Sequence, residues 1–170
     1  MDNNNELLPI VDKNGKIMGK IRRGEAHNGA KILHPVVHLH VFSADGSIYL
    51  QKRPIWKDVQ PGKWDTAVGG HVCYGEDIET ALRREANEEL NISNEIYKFL
   101  GHYVFESDVE RELIYVYKTA YLGRLYPNED ELDGGRFWSA AEIISNIGKD
   151  VFTPNFEFEY AKFFVEDGVL

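Results

Sequence analysis

The sequence predicts one α+β domain, a mixed β-sheet held between helices in an α/β/α sandwich. Three observations lead there. Runs rich in aromatic and β-branched residues, such as Tyr97 to Glu106 and Leu113 to Leu122, read as strands. Asp77 to Leu90 carries an apolar stripe at helical period and reads as a helix. Strands and helices intermix without regular βαβ alternation, which favours a mixed sheet covered by helices. A chain of 170 residues with 43% apolar content suits a single domain, expected over residues 7–170, with residues 1–6 disordered.

Taken in chain order, Leu8 to Asp12 and Lys16 to Ile21 flank Asn14-Gly15, a hairpin signal. Val36 to Phe42 and Ile48 to Lys52 read as strands around the turn Asp45-Gly46, and Trp56 to Trp64 reads as a loop broken by Pro61-Gly62. Asp65 to Val68 reads as a short strand. After the long helix and the two aromatic strands, Ser139 caps a short helix running to about Ile147. A last helix from Asn155 to about Glu166 places Phe156, Tyr160 and Phe163 on one face.

Composition excludes several function classes. The net charge of -9 repels a nucleic-acid backbone, so no nucleic-acid partner is expected. It repels polyphosphates too, so a phosphate substrate would need a metal or a local basic pocket. No apolar run approaches the roughly 18 residues that span a bilayer, and Met1 to Glu6 lacks signal-peptide features. The single cysteine, Cys73, cannot form an internal disulfide. Together these imply a cytoplasmic protein with no membrane partner; the oligomeric state is left open.

The chemistry concentrates in Gly70-His71-Val72-Cys73-Tyr74-Gly75-Glu76 and the helix behind it. Glu85, Glu88 and Glu89 stand at i, i+3 and i+4 and share one helix face. With Leu82 at zero on a helical wheel, Ile78, Ala86 and Leu90 form the buried stripe. The glutamates then fall at about -60°, -120° and -20° at roughly 100° per residue, along one edge of the stripe. Clustered carboxylates at a half-buried edge repel one another and lose hydration, which a Mg²⁺ or Mn²⁺ ion would offset. The bland alternative is a solvated acidic face paired with Arg83 and Arg84.

The stretch resembles the Nudix box, G-x5-E-x7-R-E-U-x-E-E-x-G-U, with U a bulky aliphatic residue. Gly70, Glu76, Arg84, Glu85, Glu88, Glu89 and Ile92 match at the required spacing; Ala86 is a small aliphatic, and Asn91 replaces a glycine while tolerating the left-handed conformation that ends a helix. The resemblance implies the Nudix fold and a small-molecule diphosphate substrate. It also implies that Glu85, Glu88 and Glu89, helped by the Gly70 carbonyl, bind the metal, while Arg84 pairs with Glu76 and braces the loop. Glu85, Glu112 and Glu131 remain candidates for the general base.

From Ile10 to Phe152-Thr153-Pro154 the chain is similar to the Nudix branch containing type 1 isopentenyl diphosphate isomerase. That resemblance implies a second divalent metal (Zn²⁺ or Mn²⁺) on His27, His34, His71, Glu110 and Glu112, and diphosphate contacts from Arg23, Arg53 and Lys57. Two departures favour hydrolysis over isomerisation. Gly69 stands where the isomerases carry a catalytic cysteine, and Glu85 and Glu88 stand where they lack acids. The expected activity is therefore metal-dependent cleavage of a phosphoanhydride in a nucleoside diphosphate derivative or small organic diphosphate. An isomerase and a non-catalytic nucleotide-sensing module are the alternatives. His38 and His40 share a sheet face and read as hydrogen-bonded structural histidines; Trp56 is a candidate to stack on a base.

Overall fold

The computed structural model describes residues 4–57, 59–93 and 95–166. β1 (Leu7–Val11) and β2 (Ile17–Arg22) form the expected hairpin, closed by Gly15 in the left-handed region at φ 81°. Residues 1–3 of the expected disordered start lie outside the described residues. Asn4 to Glu6 differ from that expectation: the Asn4 and Glu6 carbonyls accept from Gly24 N and Arg23 N, at the four-residue helix α1 (Arg23–Ala26).

The main sheet has seven strands: β3 (Leu33–Phe42), β4 (Ile48–Lys52), β5 (Trp64–Asp65), β6 (Val68–His71), β7 (Lys98–Glu106), β8 (Arg111–Ala120) and β9 (Gly135–Trp138). β3 pairs in parallel with β8 along its whole length. On its other side it is shared: Val41 and Phe42 pair with β4, whereas Val36 to Leu39 pair with β6. β4 and β6 therefore diverge from β3 like the tines of a fork. The sequence suggested one strand over Asp65 to Val68. Instead two short strands flank Thr66-Ala67, because β5 pairs with β4 and β6 with β3. β3 also starts three residues earlier than expected, since Pro35, a strand-breaking signal, is accommodated beside Leu113 of β8. β9, not foreseen, pairs with β4.

Each face of the sheet has its own core, as a sandwich requires. On one face Val37, Leu39 and Val41 pack against Leu82, Ala86 and Leu90 of α2 (Ile78–Leu90). On the other, Val36, Ile114 and Val116 pack against Ile143 of α3 (Ala140–Asn146), Phe156 of α4 (Pro154–Glu159), and Tyr160, Phe163 and Phe164 of the π-helical turn that continues α4 over Tyr160–Glu166. Full burial of leucine-sized side chains contributes about 1.5–3 kcal/mol each. Polar caps set the helix starts: Asp77, Ser139 and Thr153 accept from Thr80, Glu142 and Phe156 N–H. Asn91 ends α2 at φ 55°, ψ 35°.

Candidate active site

Burial along α2 follows the helical wheel. Glu89, nearest the apolar stripe, is 6% exposed and Glu85 9%, while the Glu88 side chain, farthest round, keeps 49%. Burial pushes the Glu85 carboxyl up to about 7, with Arg84 pulling down and Glu88 and Glu131 pushing further up. Burial also holds Glu89 well above the usual carboxylate range, reinforced by the charge of Glu85 and opposed by the Gly69 N–H. Gly70 is what lets Glu85 lie this close to β6: a Cβ at Gly70 would stand 2.5 Å from Glu85 Cγ and nearer still to the carboxyl.

Arg84 ties loop and helix together. Its Nε and Nη2 donate to the two Glu76 oxygens at 2.9 Å each, and Nη2 also donates to the His71 carbonyl at 3.0 Å. Its Nη1 donates to Glu85 at 2.7 Å and Glu88 at 3.2 Å. One guanidinium thus faces three carboxylates, and its bidentate grip on Glu76 fixes the loop over residues 72–76 against the helix. Glu76 in turn accepts from Cys73 N–H at 3.1 Å.

Glu89 reaches into the fork between β4 and β6. The Gly69 N–H donates to it at 3.2 Å from one tine, and Gln51 Nε2 at 3.3 Å from the other. The three basic residues do not converge on one point: Lys57 acts on Glu89, Arg23 on the histidine set, and Arg53 on Asp65. The charge of Lys57 favours the ionised form of Glu89, and its ammonium lies 5.1 Å from the centre of the exposed Trp56 ring. Arg53 donates to Asp65 at 3.2 Å and to the Val59 carbonyl at 2.8 Å. Arg23 pairs with Glu6 at 3.5 Å, and its charge lowers the proton affinity of His34 and His71.

The second residue set also comes together. Ligand nitrogens of His27, His34 and His71 lie within 4.8 Å of one another. His34 Nδ1 lies 2.8 Å from the Ile32 carbonyl, which can only accept, so Nδ1 carries the proton and Nε2 the lone pair. That Nε2 is buried with no hydrogen-bond partner. His27 Nδ1 faces Glu110 at 2.9 Å, leaving its Nε2 to face His71 Nε2 at 3.0 Å. Glu112 stands 4.0 Å from His34 Nε2, and burial together with the charge of Glu110 raises its pKa. Burial lowers His34 and holds His71 well below its ordinary value, which keeps both rings neutral and able to ligate. One orphaned lone pair, on His34 Nε2, beside two imidazole nitrogens 3.0 Å apart and acidic partners fits a divalent cation with mixed imidazole and carboxylate ligands.

Adjacency in the chain misleads about how the two sets relate. Gly70 pairs with Val37 and faces α2, whereas His71 pairs with Val36 and faces α4. The glutamate and histidine sets therefore occupy opposite faces of β6, because side chains alternate along a strand.

One polar group was not foreseen. Glu159, fully buried at the end of α4, lies 2.6 Å from both His38 Nδ1 and His40 Nε2 and accepts from Tyr103 Oη at 2.7 Å. The alternating histidines were the only sequence signal; their partner lies 121 and 119 residues away. Glu131 is partly exposed, and its charge raises both Glu85 and Glu89. Trp64 packs on Trp138 at 5.1 Å and is structural.

Comparison with known proteins agrees with the fold. Residues 32–156 match the family model described as NUDIX domain. A Streptomyces coelicolor protein described as an uncharacterized Nudix hydrolase is 30% identical over 95% of this chain and 90% of its own length. An isopentenyl-diphosphate Delta-isomerase of Streptomyces avermitilis is 29% identical over 88% of this chain and 79% of its own. The crystal structure of a Deinococcus radiodurans protein superposes with a TM-score of 0.81 at 23% identity, covering 94% of this chain and 99% of that one.

Proposed function

The chain belongs to the NUDIX domain family as a Nudix hydrolase, and from that premise we propose that it cleaves a phosphoanhydride in a nucleoside diphosphate derivative or a small organic diphosphate, with Mg²⁺ or Mn²⁺ held by Glu85, Glu88, Glu89 and the Gly70 carbonyl. The observation that carries this reading is the burial of Glu85 and Glu89 side by side, with Arg84 bonded to Glu85 alone of the two. Two desolvated carboxylates sharing a site destabilise the fold unless a cation joins them. When bound, such a cation supplies charge stabilisation and acidifies a ligated water.

The chain's own groups do the rest. Gly69 N–H and Gln51 aim Glu89, while Arg84 aims Glu85 and Glu88. Glu131 takes the proton of the attacking water: it is partly exposed and lies near enough to act electrostatically on Glu85 and Glu89. Glu85 is committed to Arg84, and Glu112 faces His34 among the histidines. Arg53, Lys57 and Arg23 offset the substrate's negative charge. The His27, His34, His71, Glu110 and Glu112 set takes a second divalent ion (Zn²⁺ or Mn²⁺) that orders the segment carrying His27 and His34.

The test is release of phosphate or nucleotide from a panel of diphosphate compounds with Mg²⁺ present. Glu88→Gln and Glu89→Gln keep size and remove charge, and are expected to lower kcat by roughly 10²-fold or more. Full activity in excess EDTA, or in both variants, would overturn the reading.

A further inference from the structure

We propose that His38, oriented by Glu159, is a substrate contact that donates a hydrogen bond from Nε2 to a phosphate oxygen of the bound diphosphate. The inference rests on the diphosphate reading above and adds a residue outside both candidate metal sets. Glu159 sits where α4 passes into the π-helical turn, an irregularity often associated with function. A carboxylate sealed in apolar surroundings is costly unless it is paired and hydrogen-bonded. Here three donors from two strands use it: His38 Nδ1 and Tyr103 Oη on one oxygen, His40 Nε2 on the other.

The two histidines differ in what their second nitrogen meets. His40 is fully buried and its Nδ1 has no partner, so that nitrogen holds a lone pair; a proton there would be an unsatisfied buried donor. His38 is the less enclosed of the two, keeping 8% of its side-chain surface. Its Nε2 makes no hydrogen bond among the described residues and is not sealed from solvent.

The register places that opening on the α4 face of β6, the face His71 takes, with Gly69, which has no side chain, between it and the glutamates. His38 pairs with Gly69, and a Cβ at Gly69 would lie 3.4 Å from His38 Nε2. The same Gly69 donates its N–H to Glu89 across the fork. His38 Nε2 thus lies beside the glycine whose backbone positions a glutamate of the cluster. The charged groups acting on His38 are Glu159 from α4, Asp65 from β5 and Glu112 from β8. Burial alone would discharge the ring, but these carboxylates outweigh it and push His38 up to about 9, so Nε2 carries a proton at neutral pH. An imidazolium backed by a buried carboxylate is a charge-assisted donor matched to a phosphate oxygen.

Imidodiphosphate, whose P–N–P bridge resists hydrolysis, serves as the probe in a long-range ¹H–¹⁵N experiment on histidine-labelled protein with Mg²⁺. The His38 signal among those of the six histidines is assigned with His38→Gln. The expected result is a saturable shift of the His38 Nε2 signal and binding roughly 10- to 100-fold weaker in His38→Ala, the size of one charge-assisted hydrogen bond. Glu159→Gln should move the His38 resonances and weaken imidodiphosphate while leaving Mg²⁺ affinity unchanged, which a merely structural carboxylate would not do. Binding that leaves the wild-type His38 signals unmoved would overturn the contact and leave the diphosphate reading intact. No binding at millimolar imidodiphosphate and Mg²⁺ would overturn both.

Discussion

Two neighbouring glycines should respond very differently to the same substitution. In Gly70→Ala the new methyl would stand 2.5 Å from Glu85 Cγ and closer to its carboxyl, so Glu85 must leave its place. Glu85 also accepts from Arg84 at 2.7 Å, and that bond is strained or lost with it. Overpacking of this kind costs about 1–3 kcal/mol, and a chain of this size loses about 2–4 °C in Tm per kcal/mol. Gly70→Ala is therefore expected to unfold roughly 2–12 °C lower and to bind Mg²⁺ at least about tenfold more weakly, because a ligand carboxylate has moved. In Gly69→Ala the methyl meets His38 Cδ2 and Nε2 at 3.4 Å and Thr66 Oγ1 at 3.8 Å, near ordinary contact distance. Restricting the unfolded chain offsets any small clash by about 0.4–1 kcal/mol, so Tm should stay within a few degrees of wild type. Differential scanning calorimetry and isothermal titration with Mg²⁺ on both variants decide the matter. A Gly70→Ala protein that melts and binds Mg²⁺ like wild type would refute the packing argument.

Further outcomes concern pH, metals and reaction type. Glu159 is held down to about 2: burial would raise it, but the His38 charge and the bonds from both histidines outweigh that, so its contribution is present above about 4.5 and lost as pH falls toward 2. His38 is raised to about 9, so its contribution is complete below about 6.5 and lost as pH rises through 9. The unfolding free energy should therefore peak between about pH 4.5 and 6.5 for this pair, changing by on the order of 3 kcal/mol along each limb. Glu159→Gln should flatten both limbs in urea titrations, and an unchanged profile would contradict the pairing. Metal analysis at neutral pH should find Zn²⁺ or Mn²⁺, with less bound in His34→Ala combined with Glu112→Gln; equal content would remove the histidine site. Isopentenyl diphosphate should give no dimethylallyl diphosphate, since Gly69 has no group to move a proton; turnover near one per second, in the ordinary enzyme range, would refute this. Glu131→Gln should lower kcat by about 10²-fold or more with Mg²⁺ affinity retained; wild-type kcat would shift the base to another residue.

What the sequence alone determined is what depends on neighbours in the chain. The i, i+3, i+4 spacing of Glu85, Glu88 and Glu89 set their shared face, and their angular offsets from Leu82 ordered their burial. The capping residues and the left-handed Asn91 act within one helical turn, so they too were legible. The tertiary structure decided what depends on pairing between distant strands. Asp65 to Val68 looked like one strand because the diverging partners β4 and β6 are far off in sequence. Which face Gly70 and His71 each take was decided only once β6 was registered against Val36 and Val37. Glu159 looked like any acid on the final helix until packing placed it against His38, His40 and Tyr103. A buried carboxylate takes its meaning from whatever donors the fold brings to it, and those donors come from strands more than fifty residues distant.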